Sequence, residues 1–282
     1  METRRLGLPA TVLALLAIIL TAGACAAAGQ PPSLSDLAYG PHEDQSVDVY
    51  LPERPEKAPV VFMVHGGGWV RGDKRNTRVV DNKVARWLPQ GYIFVSMNNR
   101  LLPDADPVEQ ADDVGRALAF AQKAAPNWGG DPDRFILMGH SAGAHLVSLL
   151  SADPAVAFDQ GARPWLGTVP LDSAAFDVAA IMAQPHLRLY DRAFGEDPAF
   201  WREASPTRRL TEAPVPMLLV CSTRRALPCA QARGFAEKAR SLGGDVEVLA
   251  VDMSHGEINK DLGVPGAYTE KVEAFLYRLA RP

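Results

Sequence analysis

From residue 47 to the C-terminus, short apolar runs alternate with longer stretches of helical periodicity. That alternation restricts the fold more than any other feature. Residues 59–64, 92–97, 134–138, 217–221 and 246–251 are nearly continuous apolar runs, as expected of strands buried on both faces of a sheet. Residues 47–51 alternate apolar with polar and predict an early, half-exposed strand. Helical spacing is found over 108–123, 229–242 and 267–279. The second of these runs ends at Gly243-Gly244, and the third carries a stripe of Val272, Phe275, Leu276 and Leu279. The pattern predicts one α/β domain over 46–282 with a mainly parallel sheet flanked by helices. Residues 174–212 break the rhythm with Pro185, Pro198, Pro206 and the aromatics Tyr190, Phe194, Phe200 and Trp201. They predict a small, lid-like insertion over the sheet edge.

The chain has 282 residues, 47% of them hydrophobic and 22% charged, which excludes a disordered or collagen-like chain. A net charge of −4 leaves no basic footprint, so no nucleic-acid partner is expected. Residues 1–28 read as a secretory signal peptide: Arg4 and Arg5 precede an apolar stretch over 13–20, and small residues run to Ala28. Ala22-Gly23-Ala24-Cys25 resembles a bacterial lipobox, with Ala22 where Leu is usual. Two outcomes stay open. Lipidation of Cys25 would attach the protein to a membrane, and cleavage at an Ala-x-Ala site would release it to the periplasm or the medium. Residues 29–45 are polar and read as a tether. With Cys25 lipidated or removed, Cys221 and Cys229 are the remaining thiols, and in an oxidising compartment they are expected to pair. No cysteine or histidine spacing suits a metal, and no metal is expected.

Three separated motifs carry chemistry. Gly139-His140-Ser141-Ala142-Gly143 fits G-x-S-x-G, a pattern that roughly one chain in ten of this length would contain by chance. Its setting decides in its favour. An apolar strand runs straight into it and a helix-compatible stretch follows, so the serine is placed at a sharp strand–helix turn, exposed above the sheet. His65-Gly66-Gly67-Gly68-Trp69 follows another strand. Consecutive glycines let backbone N–H groups face a ligand, and such donors can hold an oxyanion. No Lys-Ser/Thr stands in phosphate-loop spacing. Ser254-His255-Gly256 follows the last strand and supplies a histidine in a late loop, suited to act as general base toward Ser141. Of the other histidines, His65 and His140 are embedded in the glycine turns and read as structural.

With Asn99-Arg100-Leu101, Asp131-Pro132-Asp133-Arg134 and Ala144-His145, these motifs make the chain resemble an α/β-hydrolase. More narrowly, it is similar to carboxylesterases of the hormone-sensitive-lipase-like and feruloyl-esterase-like (BD-FAE) group, over about 45–280. The resemblance implies an α/β-hydrolase fold and a serine carboxylesterase without a cofactor, acting on a small-molecule ester. It assigns Ser141 as nucleophile, His255 as base, and the amides of Gly67, Gly68 and Ala142 as the oxyanion hole.

One residue departs from the group. Its catalytic acid usually follows the strand that here covers 217–221. The loop reads Ser222-Thr223-Arg224-Arg225-Ala226-Leu227-Pro228, with no carboxylate. Asp172, after the apolar run Val169-Pro170-Leu171, is the substitute candidate, and a helix N-cap is its competing role. Asp177 and Glu257 are further candidates, whereas Asp113 and Asp133 read as partners of nearby basic residues. The acid-free loop keeps a non-catalytic, hydrolase-like binding protein open as a rival. A peptidase or amidase using the same Ser141 and His255 is a second rival. The sequence carries no signal for oligomeric state.

Overall fold

The structure is a computed structural model that describes residues 29–281, together with Met1 and Glu2. The signal-peptide and lipobox readings, Cys25 included, lie outside the described residues. Eight strands form one sheet: β1 Leu34–Ala38, β2 Ser46–Tyr50, β3 Ala58–Val64, β4 Ile93–Met97, β5 Gly130–His140, β6 Gly167–Leu171, β7 Met217–Ser222 and β8 Val246–Val251. Their order is β1-β2-β4-β3-β5-β6-β7-β8. β1, β2 and β4 pair antiparallel, and all pairings from β4 to β8 are parallel.

The helices are α1 Thr77–Trp87, α2 Pro107–Ala124, α3 Ala142–Ala152, α4 Ala155–Phe158, α5 Val178–Met182, α6 Arg188–Phe194, α7 Pro198–Glu203, α8 Pro206–Arg209, α9 Ala226–Ser241, α10 His255–Lys260 and α11 Ala267–Ala280. Strand alternation sorts the core into two layers. Phe62, Val64, Phe135 and Leu137 face Val114 and Leu118 of α2 and Leu146 and Leu150 of α3. Val61, Met63, Ile136 and Met138 face Val80 and Trp87 of α1 and Val272, Phe275 and Leu276 of α11. Burial on both faces is why these strands read as unbroken apolar runs.

Two expectations are corrected. Residues 29–45 are not simply a tether, because β1 pairs with β2 in register Leu34↔Val49 and Leu37↔Val47. Leu34 and Leu37 pack on the core, while exposed Asp36 meets Lys74 and Arg75 and gives the segment its polar look. β2 is fully buried rather than half-exposed. Its polar residue Asp48 is held by Arg75 Nε at 2.6 Å and by the Asp36 N–H at 2.7 Å. α1 was not anticipated from the sequence, because its buried stripe of Val79, Val80, Val84 and Trp87 is short and includes a charged residue, Lys83.

Cys221 at the end of β7 and Cys229 in the first turns of α9 form a disulfide across eight positions. A loop of this size contributes roughly 2–3 kcal/mol in the chain-entropy account. Cys229→Ala is therefore expected to lower Tm by about 5–10 °C in a chain this long. Thermal melts of the two proteins, with and without reductant, check it: reductant should shift only the parent.

Candidate active site

The turn between β5 and α3 carries Ser141 in a left-handed conformation, φ 57°. This backbone costs on the order of 1–3 kcal/mol for a non-glycine residue. The flanking glycines make the turn feasible. A Cβ on Gly143 would lie 2.3 Å from the Val64 carbonyl oxygen, and one on Gly139 would lie 2.3 Å from the Gly143 oxygen. β5 runs directly beside β3, so the turn abuts the loop that follows β3: a Cβ on Gly66 would come within 3.0 Å of Ser141 Cβ.

Ser141 Oγ–H donates to His255 Nε2 at 3.0 Å, and His255 Nδ1–H donates to Asp172 Oδ2 at 2.7 Å. His255 is the first residue of α10 rather than part of a loop, and Ser254 with Glu257 forms a capping box that fixes it there. Asp172 directly follows β6, with φ 56° and a fully buried side chain. It caps no helix, because the N-cap of α5 is Asp177, whose side chain accepts from the Ala180 N–H. Asp177 also pairs with Arg208, and Glu257 with Ser254 and Arg224, so neither faces His255. Asp113 binds Arg100, and Asp133 binds Arg163.

Burial opposes ionisation of Asp172. The hydrogen bonds from His255 and from the Ser222 N–H (2.8 Å), together with the Arg225 charge, outweigh it and hold the carboxyl below its ordinary value. Ser222 also donates from Oγ to the Met253 carbonyl at 2.6 Å, which ties the end of β7 to the segment before His255. Arg225 Nη2 contacts Asp172 Oδ2 and lies 2.9 Å from His255 Nδ1. Because Nδ1 spends its proton on Asp172, it cannot accept from the guanidinium. Asp172 Oδ2 is the acceptor that both groups share. In the sequence Arg225 stands only as one of two adjacent arginines in a loop without a carboxylate, and the carboxylate it shares with His255 could not be read locally.

His140 packs beside His255 with ring centroids 4.4 Å apart and donates Nε2–H to the His255 carbonyl at 2.9 Å. Burial, and then the neighbouring His255, push its pKa down to about 3. It is therefore a neutral prop that adds no second cation beside His255. His145 donates Nε2–H to the Ala204 carbonyl at 2.7 Å and accepts from Trp69 Nε1 at 3.2 Å, which links α3, the glycine loop and the insertion. Burial lowers its pKa to about 4.

In the glycine loop, Gly67 and Gly68 have φ of +132° and +64°. Their N–H groups, and that of Ala142 at the first position of α3, find no acceptor among the described residues. The insertion covers this loop. Leu189 sits against Gly68, and Phe194 packs edge-on to Trp69 at 4.9 Å. The site thus combines a hydroxyl, a tautomer-fixed imidazole, a buried carboxylate and unpartnered amides.

The chain matches the family model described as BD-FAE over residues 47–184. It is 32% identical over 229 residues to Esterase LipQ of Mycobacterium tuberculosis, covering 74% of this chain and 53% of the relative. It is 28% identical over 235 residues to the probable carboxylic ester hydrolase LipM of the same organism, covering 76% and 53%. The chain spans about half the length of the curated relatives it matches. The fold is similar to that of esterase 2 of Thermogutta terrifontis, solved phosphonylated by sarin. The TM-score is 0.72 at 19% identity, covering 90% of this chain and 98% of that one.

Proposed function

The chain is an α/β-hydrolase of the BD-FAE type, and from that premise we propose that it is a serine carboxylic ester hydrolase acting on small-molecule esters. The observation that carries this reading is the continuous relay from Ser141 through His255 to Asp172. As Ser141 Oγ attacks the ester carbonyl, its proton passes to His255 Nε2. Asp172 holds the imidazole in the tautomer with Nε2 free and stabilises the imidazolium. The N–H groups of Gly67, Gly68 and Ala142 take the oxyanion. His255 returns the proton to the leaving alkoxide, giving free alcohol and an acyl-Ser141. It then takes a proton from water, whose hydroxide releases the carboxylic acid and restores the serine.

The binding-protein rival rests on the acid-free loop after β7, and a carboxylate 2.7 Å from His255 removes its ground. The peptidase rival is tested by rates on 4-nitrophenyl butyrate and the matched butyryl 4-nitroanilide. The ester is expected to turn over at least about a hundredfold faster, because poor amide leaving groups demand protonation in a site aligned for them. Comparable rates would assign an amidase. We further propose that the protein is exported, with residues 1–28 as the signal. The support is the basic-then-apolar N-terminal pattern together with a paired Cys221 and Cys229. Attachment through a lipidated Cys25 is tested by the mass of the mature N-terminal peptide.

A further inference from the structure

A cavity of about 540 Å³ opens between α5, α6 and the first turns of α9, and one of its lining residues, Arg225, touches the relay at Asp172. Ile181, Tyr190, Leu187 and Leu227 give it apolar walls, the last two exposed at its mouth. Arg225 lines it and lies 2.9 Å from His255 Nδ1. From Ser141 Oγ to the guanidinium the path is 3.0 Å to His255 Nε2, the width of one imidazole ring, and 2.9 Å from Nδ1 to Arg225 Nη2.

The charges here point one way. Arg225 and Asp172 are paired, but the Asp172 side chain is fully buried while that of Arg225 is 41% exposed, so the cation is the member that meets the cavity. Only Nη2 of the guanidinium is engaged. Nε and Nη1 have no partner among the described residues. Gln231, on the same wall, accepts from the Asp177 N–H through Oε1 at 2.6 Å, which leaves its amide N–H groups unspent. Among the described residues, no Asp or Glu lines the cavity. His186 on the far wall is spent on Asp191 and on the Gln184 carbonyl.

We propose that this cavity selects esters bearing a second, ionised carboxylate a few carbon atoms from the scissile carbonyl, with Arg225 as the specificity-determining residue. The inference rests on the hydrolase reading above. The methylene segment of such a dicarboxylic half-ester lies along the apolar walls. Its free carboxylate takes charge-assisted hydrogen bonds from Arg225, supplemented by Gln231. A neutral acyl chain of equal length leaves those donors unsatisfied and gains nothing from the cation.

The test compares ethyl hydrogen glutarate with ethyl pentanoate near neutral pH, following release of ethanol. The two acyl groups have equal carbon number and differ by the terminal carboxylate. The parent protein is expected to favour the glutarate by about tenfold or more in kcat/KM, the scale of one charge-assisted contact. Arg225→Gln should bring the ratio to one or below, and Arg225→Lys, which keeps the charge, should retain part of it. Because Arg225 also touches Asp172, absolute rates will fall in both variants. The ratio of the two esters cancels that common loss. Hydrolysis of ethyl pentanoate with no preference for the glutarate, or a preference unchanged in Arg225→Gln, overturns this inference alone. Absence of hydrolysis of either ester by folded protein overturns the hydrolase reading and this inference with it.

Discussion

Ser141→Ala is expected to lower kcat/KM for a short-chain ester by on the order of 10⁵–10⁶, the scale of losing the nucleophile from an interdependent serine relay. The strand–turn–helix places this hydroxyl on His255 Nε2, and no other hydroxyl is so placed among the described residues. What remains is binding and oxyanion stabilisation without a covalent route. The substitution removes one hydroxyl from a position whose backbone conformation is set by its neighbours, so the fold should persist. Circular dichroism and thermal melting alongside the steady-state rates check this. Activity within tenfold of the parent would exclude Ser141 as the attacking group.

Asp172→Asn is expected to cost on the order of 10³–10⁴ in turnover. The carboxamide can still accept the Ser222 N–H through its oxygen, which turns its NH₂ toward His255 Nδ1. The imidazole then accepts at Nδ1 and carries its proton on Nε2, where it faces Ser141 as a donor and cannot take the serine proton. The same variant has a signature in stability against pH. The folded Asp172 carboxyl titrates below its unfolded value. Its ionised form therefore stabilises the fold above the ordinary carboxyl range, and that support is lost as pH falls through the folded value. Asp172→Asn should flatten this acid limb in urea unfolding measured across pH. A variant with parent-like turnover would reduce the relay to a Ser141–His255 dyad.

How far the site could be read from sequence follows from how local each part is. The strand runs, the glycine loop and the serine turn are legible because burial on both faces and steric crowding imprint themselves on consecutive residues, as at 59–64 and at Gly139 and Gly143. Asp172 could be proposed but not separated from a helix N-cap. Its role depends on β6, β7 and β8 lying side by side, which brings residue 172 to residue 255. Arg225 is the extreme case. Two adjacent arginines look alike in the chain, yet Arg224 turns to Asp252 and Glu257 while Arg225 turns inward to Asp172. β1 escaped notice because an edge strand needs only one apolar face, and its partner strand lies beyond a turn of polar residues.

The most direct test of the relay is to treat the protein with a fluorophosphonate and map the adduct by peptide mass spectrometry, beside His255→Ala under identical conditions. The account predicts one adduct per chain, on Ser141, formed rapidly by the parent and slowly or not at all by the variant, because the serine is reactive only while His255 draws its proton. An adduct on another residue, or equal labelling of Ser141 in both proteins, would contradict it.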